Sequence, residues 1–294
     1  MITQESLFIE QVDHKIHLRV VKPQAATDKA PVLLVHGAIE DGRIFYSKSD
    51  KGLACELARA GYPTYVVDLR GRGLSEPSIK NQPNHGQLEA ITETLPNVHA
   101  FIFTQHKQAV HWMAHSWGGV LLASVLSRHQ ELAAQVASQV YFGTKRSVHS
   151  WSMERLLKIE LFWHLIGPAI ARVKGYLPAK ELGLGADNET KLSLREGRTW
   201  VKKRPWTDPR DGFDYFANAK GLIWPKTWLI AAIDDHALGN PIDVQHFADE
   251  MGVDKVSILS KANGNLVDYD HINMLVHPKA KDDHFLEVIE FINN

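Results

Sequence analysis

Four short apolar runs set the architecture open to this chain. PVLLVHG (31–37), TYVVDLRG (64–71), AVHWMAH (109–115) and QVASQVYFGT (135–144) are each nearly continuous in hydrophobicity rather than alternating. That pattern marks strands buried on both faces. Between them lie helix-like stretches. Leu53, Leu57 and Ala60 fall at helical spacing with Gly61 as a stop, and WGGVLLASVLSRH follows the third run directly. Residues 86–105 read as a helix that Pro96 interrupts. Two further runs, LFIEQV and KIHLRVV, flank Asp13-His14 as strand, tight turn and strand. Strand alternating with helix predicts an α/β fold: a mostly parallel sheet with helices on both faces.

The alternation stops near residue 146. It resumes with KTWLIAAID (226–234), a helix over 241–251, KVSILS (255–260) and a last helix over 282–292. The expected organisation is a core of residues 1–146 and 221–294, split by a helical insertion over 147–220. An insertion packed on the core would cover the carboxyl ends of the strands, where open α/β sheets bind ligands.

Bulk properties narrow the function. The formal net charge of the 294 residues is -1, so no global field favours nucleic acid. With Cys55 the single cysteine, no intrachain disulfide can form. Cys55 reads as a small buried hydrophobe on a helix, with a thiol nucleophile as the alternative. The N-terminus MITQESLFIEQVDHK lacks the basic and apolar regions of a secretory signal. The most apolar stretch, LLKIELFWHLIGPAIA, carries Lys158, Glu160 and His164. It reads as an amphipathic helix rather than a membrane span. These features predict a cytoplasmic protein without stable membrane insertion. They leave its oligomeric state open.

The chemistry centres on Ala114-His115-Ser116-Trp117-Gly118, followed by Gly119. A nucleophile on a sharp strand-to-helix turn needs small residues two positions away on either side, and Ala114 and Gly118 supply them. The helix beginning at Trp117 aims its first amides at the place where negative charge would develop. An ordinary turn with a capping serine is the alternative. The position of Ser116, between an apolar strand and an apolar helix, favours the nucleophile.

At this point the chain resembles the α/β-hydrolase superfamily over nearly its whole length, with Ser116 at the nucleophile elbow. Val35-His36-Gly37-Ala38 resembles the family's His-Gly oxyanion loop. The resemblance implies that the amides of Ala38 and Trp117 form the oxyanion hole and that His36 braces the loop. Asp68-Leu69-Arg70-Gly71-Arg72-Gly73-Leu74-Ser75 resembles a D-x-R-G-x-G-x-S stretch and reads as structural, with Asp68 and the arginines pairing locally. No phosphate-binding G-x-x-x-x-G-K pattern is present.

The family order is Ser, then Asp or Glu, then His. Serine is a poor nucleophile at its own pKa, so a base must activate it. By position His271 resembles the family's histidine, with His277 the weaker candidate. Asp270 and Asn273 depart from the family's G-H-x-D pattern there. The orienting acid follows KTWLIAAID, where Asp235 fits the family spacing from Ala232 and Asp234 is the alternative. The resemblance implies a Ser116–Asp235–His271 triad and a serine esterase or lipase-like activity without a cofactor. The sixteen histidines raise a metallohydrolase as an alternative, but they are scattered and no H-E-x-x-H is present, so no metal is expected. C–C bond hydrolysis, thioester hydrolysis and acyl transfer use the same triad and stay open, as does a non-catalytic binding protein of this fold. A serine at position 116 argues against dehalogenase and epoxide-hydrolase chemistry, which need a carboxylate there.

The insertion resembles a cap domain. Trp151, Leu156, Leu157, Leu161, Phe162, Trp163, Leu165 and Ile166 form a dense apolar set, expected mostly to pack within the cap. The set predicts a small-molecule substrate with an apolar group. Lys202-Lys203-Arg204 reads as a solvated basic face, with recognition of an anionic substrate group as the alternative.

Overall fold

The computed structural model describes residues 2–202 and 205–294. Lys203 and Arg204 of the basic cluster lie outside the described residues. The strands are β1 (Ile2–Glu10), β2 (Lys15–Pro23), β3 (Val32–Val35), β4 (Thr64–Val67), β5 (Val110–His115), β6 (Val136–Phe142), β7 (Tyr176–Leu177), β8 (Glu189–Thr190), β9 (Lys226–Ala232) and β10 (Val256–Leu259). Eight of them form one sheet in the order β1-β2-β4-β3-β5-β6-β9-β10. β1 and β2 form an antiparallel hairpin, β2 pairs antiparallel with β4, and the remaining pairs are parallel.

The apolar runs are buried on both faces, as their continuity implies. In β3, Leu33 and Val35 enter one core cluster while Val32 and Leu34 enter the other. In β5, Trp112 and Ala114 face the first cluster and Met113 the second. This is the two-residue period of a strand read out as two separate cores. Helices Leu53–Arg59 and His284–Asn293 cover one face, and Trp117–Arg128 and Pro241–Met251 the other. Cys55 is buried in the first of these helices, and burial pushes its thiol up to about 11.

Pro96 does not break the helical run. The chain passes from Gln87–Glu89 through a wide π turn at Ala90–Thr94 into Leu95–His106. Pro96 sits in the first turn of that last segment, where its missing N–H matters least.

Asp68 also differs from expectation, since it pairs with neither arginine. Its buried carboxylate accepts hydrogen bonds from the amides of Gly42 (2.7 Å) and Leu74 (2.9 Å) and from His17 Nδ1 (2.8 Å). Arg70 reaches outward to Asp13 at 2.7 Å, and Arg72 pairs with Glu189. A buried carboxylate is best served by fixed donors close by; its own turn supplies one, and the Gly42 amide and His17 supply the others.

Between β6 and β9 the chain forms the helical stretch Met153–Lys174, the β7–β8 ladder, the helix Lys191–Val201 and the helix Tyr215–Gly221. Its last part joins the main core, where Trp206 stacks on Tyr215, Trp200 packs edge-on against both, and Phe247 packs edge-on against Trp206. Its first part corrects a sequence expectation. Trp151, Leu156, Leu157, Leu161, Leu165 and Ile166 are exposed rather than packed. The π-helical segment Leu156–Ile166 packs mainly on the segments that flank it, so its outer side chains have no second layer to enter. No helix among the described residues is long and apolar enough to cross a membrane.

One contact ties this segment to the core with a cost that depends on pH. Glu196 Oε2 accepts the Gln87 amide at 2.6 Å. Oε1 has no hydrogen bond among the described residues and stands 3.6 Å from Arg210. Burial raises the carboxyl to about 7 from its ordinary 4.5, although Gln87 and Arg210 pull the other way. The folded state therefore takes up a proton between about pH 4.5 and 7. Stability contributed by that proton is lost as pH rises through this window. Glu196→Gln keeps an acceptor for Gln87 and removes the charge. It is expected to stabilise the fold by about 2 kcal/mol at pH 8 and to change little at pH 4, measured by urea unfolding at both.

Candidate active site

Ser116 stands between the end of β5 and the helix Trp117–Arg128, at φ 52° and ψ −125°. A non-glycine residue held there is strained, and its surroundings keep it in place. The Ser116 amide donates to Phe142 O (2.7 Å) at the end of β6, and Thr144 Oγ1 donates to Ser116 O (2.9 Å). Gly118 lets the turn close. A Cβ there would lie 2.5 Å from the carbonyl oxygens of Val35 and His36.

His271 lies in the loop after β10 and Asp235 just after β9. His271 Nε2 is 3.0 Å from Ser116 Oγ, and Nδ1 is 2.5 Å from Asp235 Oδ2. An ionised carboxylate only accepts hydrogen bonds, so Nδ1 carries the proton and Nε2 is left to accept from the serine hydroxyl. Asp235 Oδ1 accepts the amides of Leu238 (2.8 Å) and Ala237 (3.3 Å). Burial opposes ionisation of Asp235, but His271 and these amides outweigh it and hold the carboxyl well below its ordinary range.

The alternatives lie elsewhere. Asp234 is exposed. His277 accepts the Lys279 amide at 3.2 Å and packs edge-on against Tyr269. Asp270 caps the turn after His271, accepting the amides of Ile272 (2.9 Å) and Asn273 (2.7 Å) and the Asn273 side chain (2.7 Å). The two departures from the G-H-x-D pattern are thus partners of one another. His36 Nδ1 donates to Gly37 O (2.9 Å) and Nε2 accepts the Leu69 amide (3.1 Å), a brace with both nitrogens occupied. The amides of Ala38 and Trp117 donate to no acceptor among the described residues, and both residues line the same cavity as Ser116 and His271.

The family model for serine aminopeptidase, S33, matches residues 26–178, just over half of the chain. The chain belongs to this α/β-hydrolase family. No curated protein matches it in sequence. Among solved structures, a soluble variant of monoglyceride lipase from Saccharomyces cerevisiae is 13% identical, with TM-score 0.68 over 99% of this chain and 95% of that one. Bromoperoxidase from Bacillus anthracis is 15% identical, with TM-score 0.62 over 99% and 100%. The thioesterase domain from the curacin biosynthetic pathway is 17% identical, with TM-score 0.58 over 99% and 100%. At such identities the likeness concerns the fold.

This α/β-hydrolase carries a second acid–histidine pair under the first, which sequence reasoning missed. Glu40 accepts the Gly37 amide at 2.7 Å and lies 2.9 Å from His115 Nδ1. His115 Nε2 is 2.8 Å from the backbone oxygen of His271. Both ring nitrogens therefore face groups that only accept, so His115 is an imidazolium. Burial alone would lower its pKa, but Glu40 overrides this and raises it. Burial would likewise raise Glu40, but His115, His271 and the Gly37 amide hold it at about 2. The pair joins the Gly37 turn to the backbone of His271. A histidine immediately before Ser116 was visible in the sequence, but nothing linked it to an acid 75 positions away.

The sign of its pH dependence follows from both shifts. The lowered Glu40 contributes fully above its ordinary 4.5 and is lost as pH falls towards about 2. The raised His115 contributes fully below its ordinary 6.5 and is lost as pH rises through its folded value. Glu40→Gln leaves a buried cation without its partner and is expected to cost about 3 kcal/mol. Urea unfolding across pH should find this loss largest between about pH 4.5 and 6.5.

The cavity has a volume of about 850 Å³ and is walled largely by Trp117, Leu157, Ile159, Phe162 and Trp163. Lys145 also lines it. It stands just after Gly143-Thr144, and only 5% of it is exposed.

Proposed function

We propose that the protein is a serine hydrolase of carboxylic esters with an apolar group, acting on a small molecule. One observation carries the reading: the 3.0 Å approach of Ser116 Oγ to a His271 Nε2 whose other nitrogen is committed to Asp235. Ser116 Oγ attacks the ester carbonyl as His271 Nε2 takes its proton. Asp235 holds the ring and stabilises the imidazolium. The amides of Ala38 and Trp117 receive the oxyanion, each worth roughly 3 kcal/mol by analogy with donors removed elsewhere. The tetrahedral intermediate collapses, the C–O bond breaks, and the leaving alkoxide takes the proton from His271. Water, deprotonated by His271, then releases the acid from Ser116. The segment 147–220 acts as a cap, and its aromatic inner face supports an apolar acyl or alcohol group.

The test is a fluorophosphonate probe with the adduct mapped by mass spectrometry, alongside hydrolysis of aryl esters of graded acyl length. Labelling of Ser116 is expected, together with ester turnover that Ser116→Ala abolishes and EDTA leaves intact. Folded protein that carries no adduct on Ser116 sinks the proposal.

A further inference from the structure

The charged side chains that line the cavity are paired, with one exception. Glu40 is held by His115, Arg43 bonds Asp41 at 2.6 Å, and Lys158 bonds Glu154 at 2.8 Å. Lys145 makes no ion pair or side-chain hydrogen bond with any described residue, although it is buried. The carboxylates that act on it from a distance are Asp243 and Asp235. Asp243 is engaged by the amides of His149 (2.6 Å) and Ser150 (2.9 Å) and by Ser150 Oγ (2.7 Å). Asp235 is engaged by His271. The nearby like charge, Arg155, bonds Glu160 and Ser150 O.

An ammonium buried without a partner is costly, and ordinary cores avoid it. Burial pushes the Lys145 ammonium towards its neutral form, while the two aspartates pull it back. Its position is fixed from both sides. Thr144 is tied to Ser116 O, and Arg146 is locked by Glu250 and by the backbone oxygen of Trp200 at 2.8 Å. These contacts hold the backbone that carries Lys145 at the wall of the cavity.

We propose that Lys145 recognises an anionic group on the substrate, a carboxylate carried on the chain that occupies the apolar cavity. The assignment rests on Ser116 being the nucleophile and adds the substrate class: a half-ester or ω-carboxy ester. A carboxylate matches the site better than a phosphate. One ammonium with three donors neutralises one negative charge, whereas a dianion would leave a charge uncompensated among aromatic walls.

The experiment compares two aryl esters of matched length, p-nitrophenyl pentanoate and the mono-p-nitrophenyl ester of glutaric acid, at neutral pH. Wild type is expected to favour the anionic ester in kcat/KM by about tenfold or more. Lys145→Met keeps the stem volume and removes the charge. It is expected to lose about 100-fold on the anionic ester and to stay within about threefold on the neutral one. Lys145→Arg is expected to restore part of the preference. A wild type indifferent to the carboxylate overturns the proposal, as does a Lys145→Met enzyme that loses both esters equally while its thermal melt is unchanged. If the variant does not fold, the wild-type ratio decides. Fluorophosphonate labelling run in parallel separates the two readings. No adduct in wild type means that the nucleophile is wrong, whereas a labelled enzyme without charge preference means that only the Lys145 assignment is wrong.

Discussion

Asp235→Asn is expected to lower kcat on an aryl ester by about 10⁴-fold with the fold intact. The direction of the effect follows from which oxygen does what. Oδ1 is held by the amides of Leu238 and Ala237, and Oδ2 faces His271. Those amides fix the carbonyl oxygen of an asparagine at the Oδ1 position. Its NH₂ then points at His271 Nδ1, which must become an acceptor. The ring proton moves to Nε2, where it faces Ser116 Oγ and blocks proton abstraction. The rate of fluorophosphonate labelling should fall with kcat, while circular dichroism stays unchanged. Asp234→Asn, on an exposed neighbour, is the control and should stay within about twofold.

Gly118→Ala is expected to damage the fold and the site together. The new methyl would meet two backbone carbonyls, those of Val35 and His36, at 2.5 Å. Neither can rotate away as a side-chain tip could. Relief requires the helix start to retreat from the end of β3, which separates the Trp117 amide from that of Ala38. The expected destabilisation is about 3 kcal/mol or more in urea unfolding. The residual folded enzyme should lose about 100-fold in kcat, since a shift near 1 Å at reacting groups has that effect. Gly221→Ala, with nothing within 4 Å of its added carbon, should change stability by no more than about 0.5 kcal/mol.

The sheet was legible because its signal is local. A strand buried on both faces must be apolar throughout, and β3, β4, β5 and β6 announced themselves in that way. The convergence of Ser116, Asp235 and His271 was legible because chain order in this family constrains which of sixteen histidines can reach the serine. What stayed hidden depends on three-dimensional register. Glu40 meets His115 only because β3 and β5 are adjacent in the sheet. Proximity in sequence pairs Asp68 with the arginines beside it, but the Leu74 amide of its own turn, the Gly42 amide and His17 on β2 take its oxygens. The exposure of the apolar side chains in Leu156–Ile166 is not legible in sequence, because periodicity reports a face without saying whether another layer covers it. Lys145 gives no sequence signal, because a lone lysine after an apolar run is ordinary and only the fold brings it to the cavity wall.

The place where the long segment leaves the sheet has an evolutionary consequence. β6 and β9 are hydrogen-bonded neighbours, so their register is set by their own ladder and not by the chain that joins them. Exchange of the stretch before Trp200 would leave Ser116, His271 and Asp235 where they are. Lys145 sits on the strand side of that junction. The recognition of charge would therefore descend with the chemistry, while the recognition of shape could be replaced separately. Relatives with different lids over the same sheet could thus drift among acyl chains and still share a demand for a carboxylate.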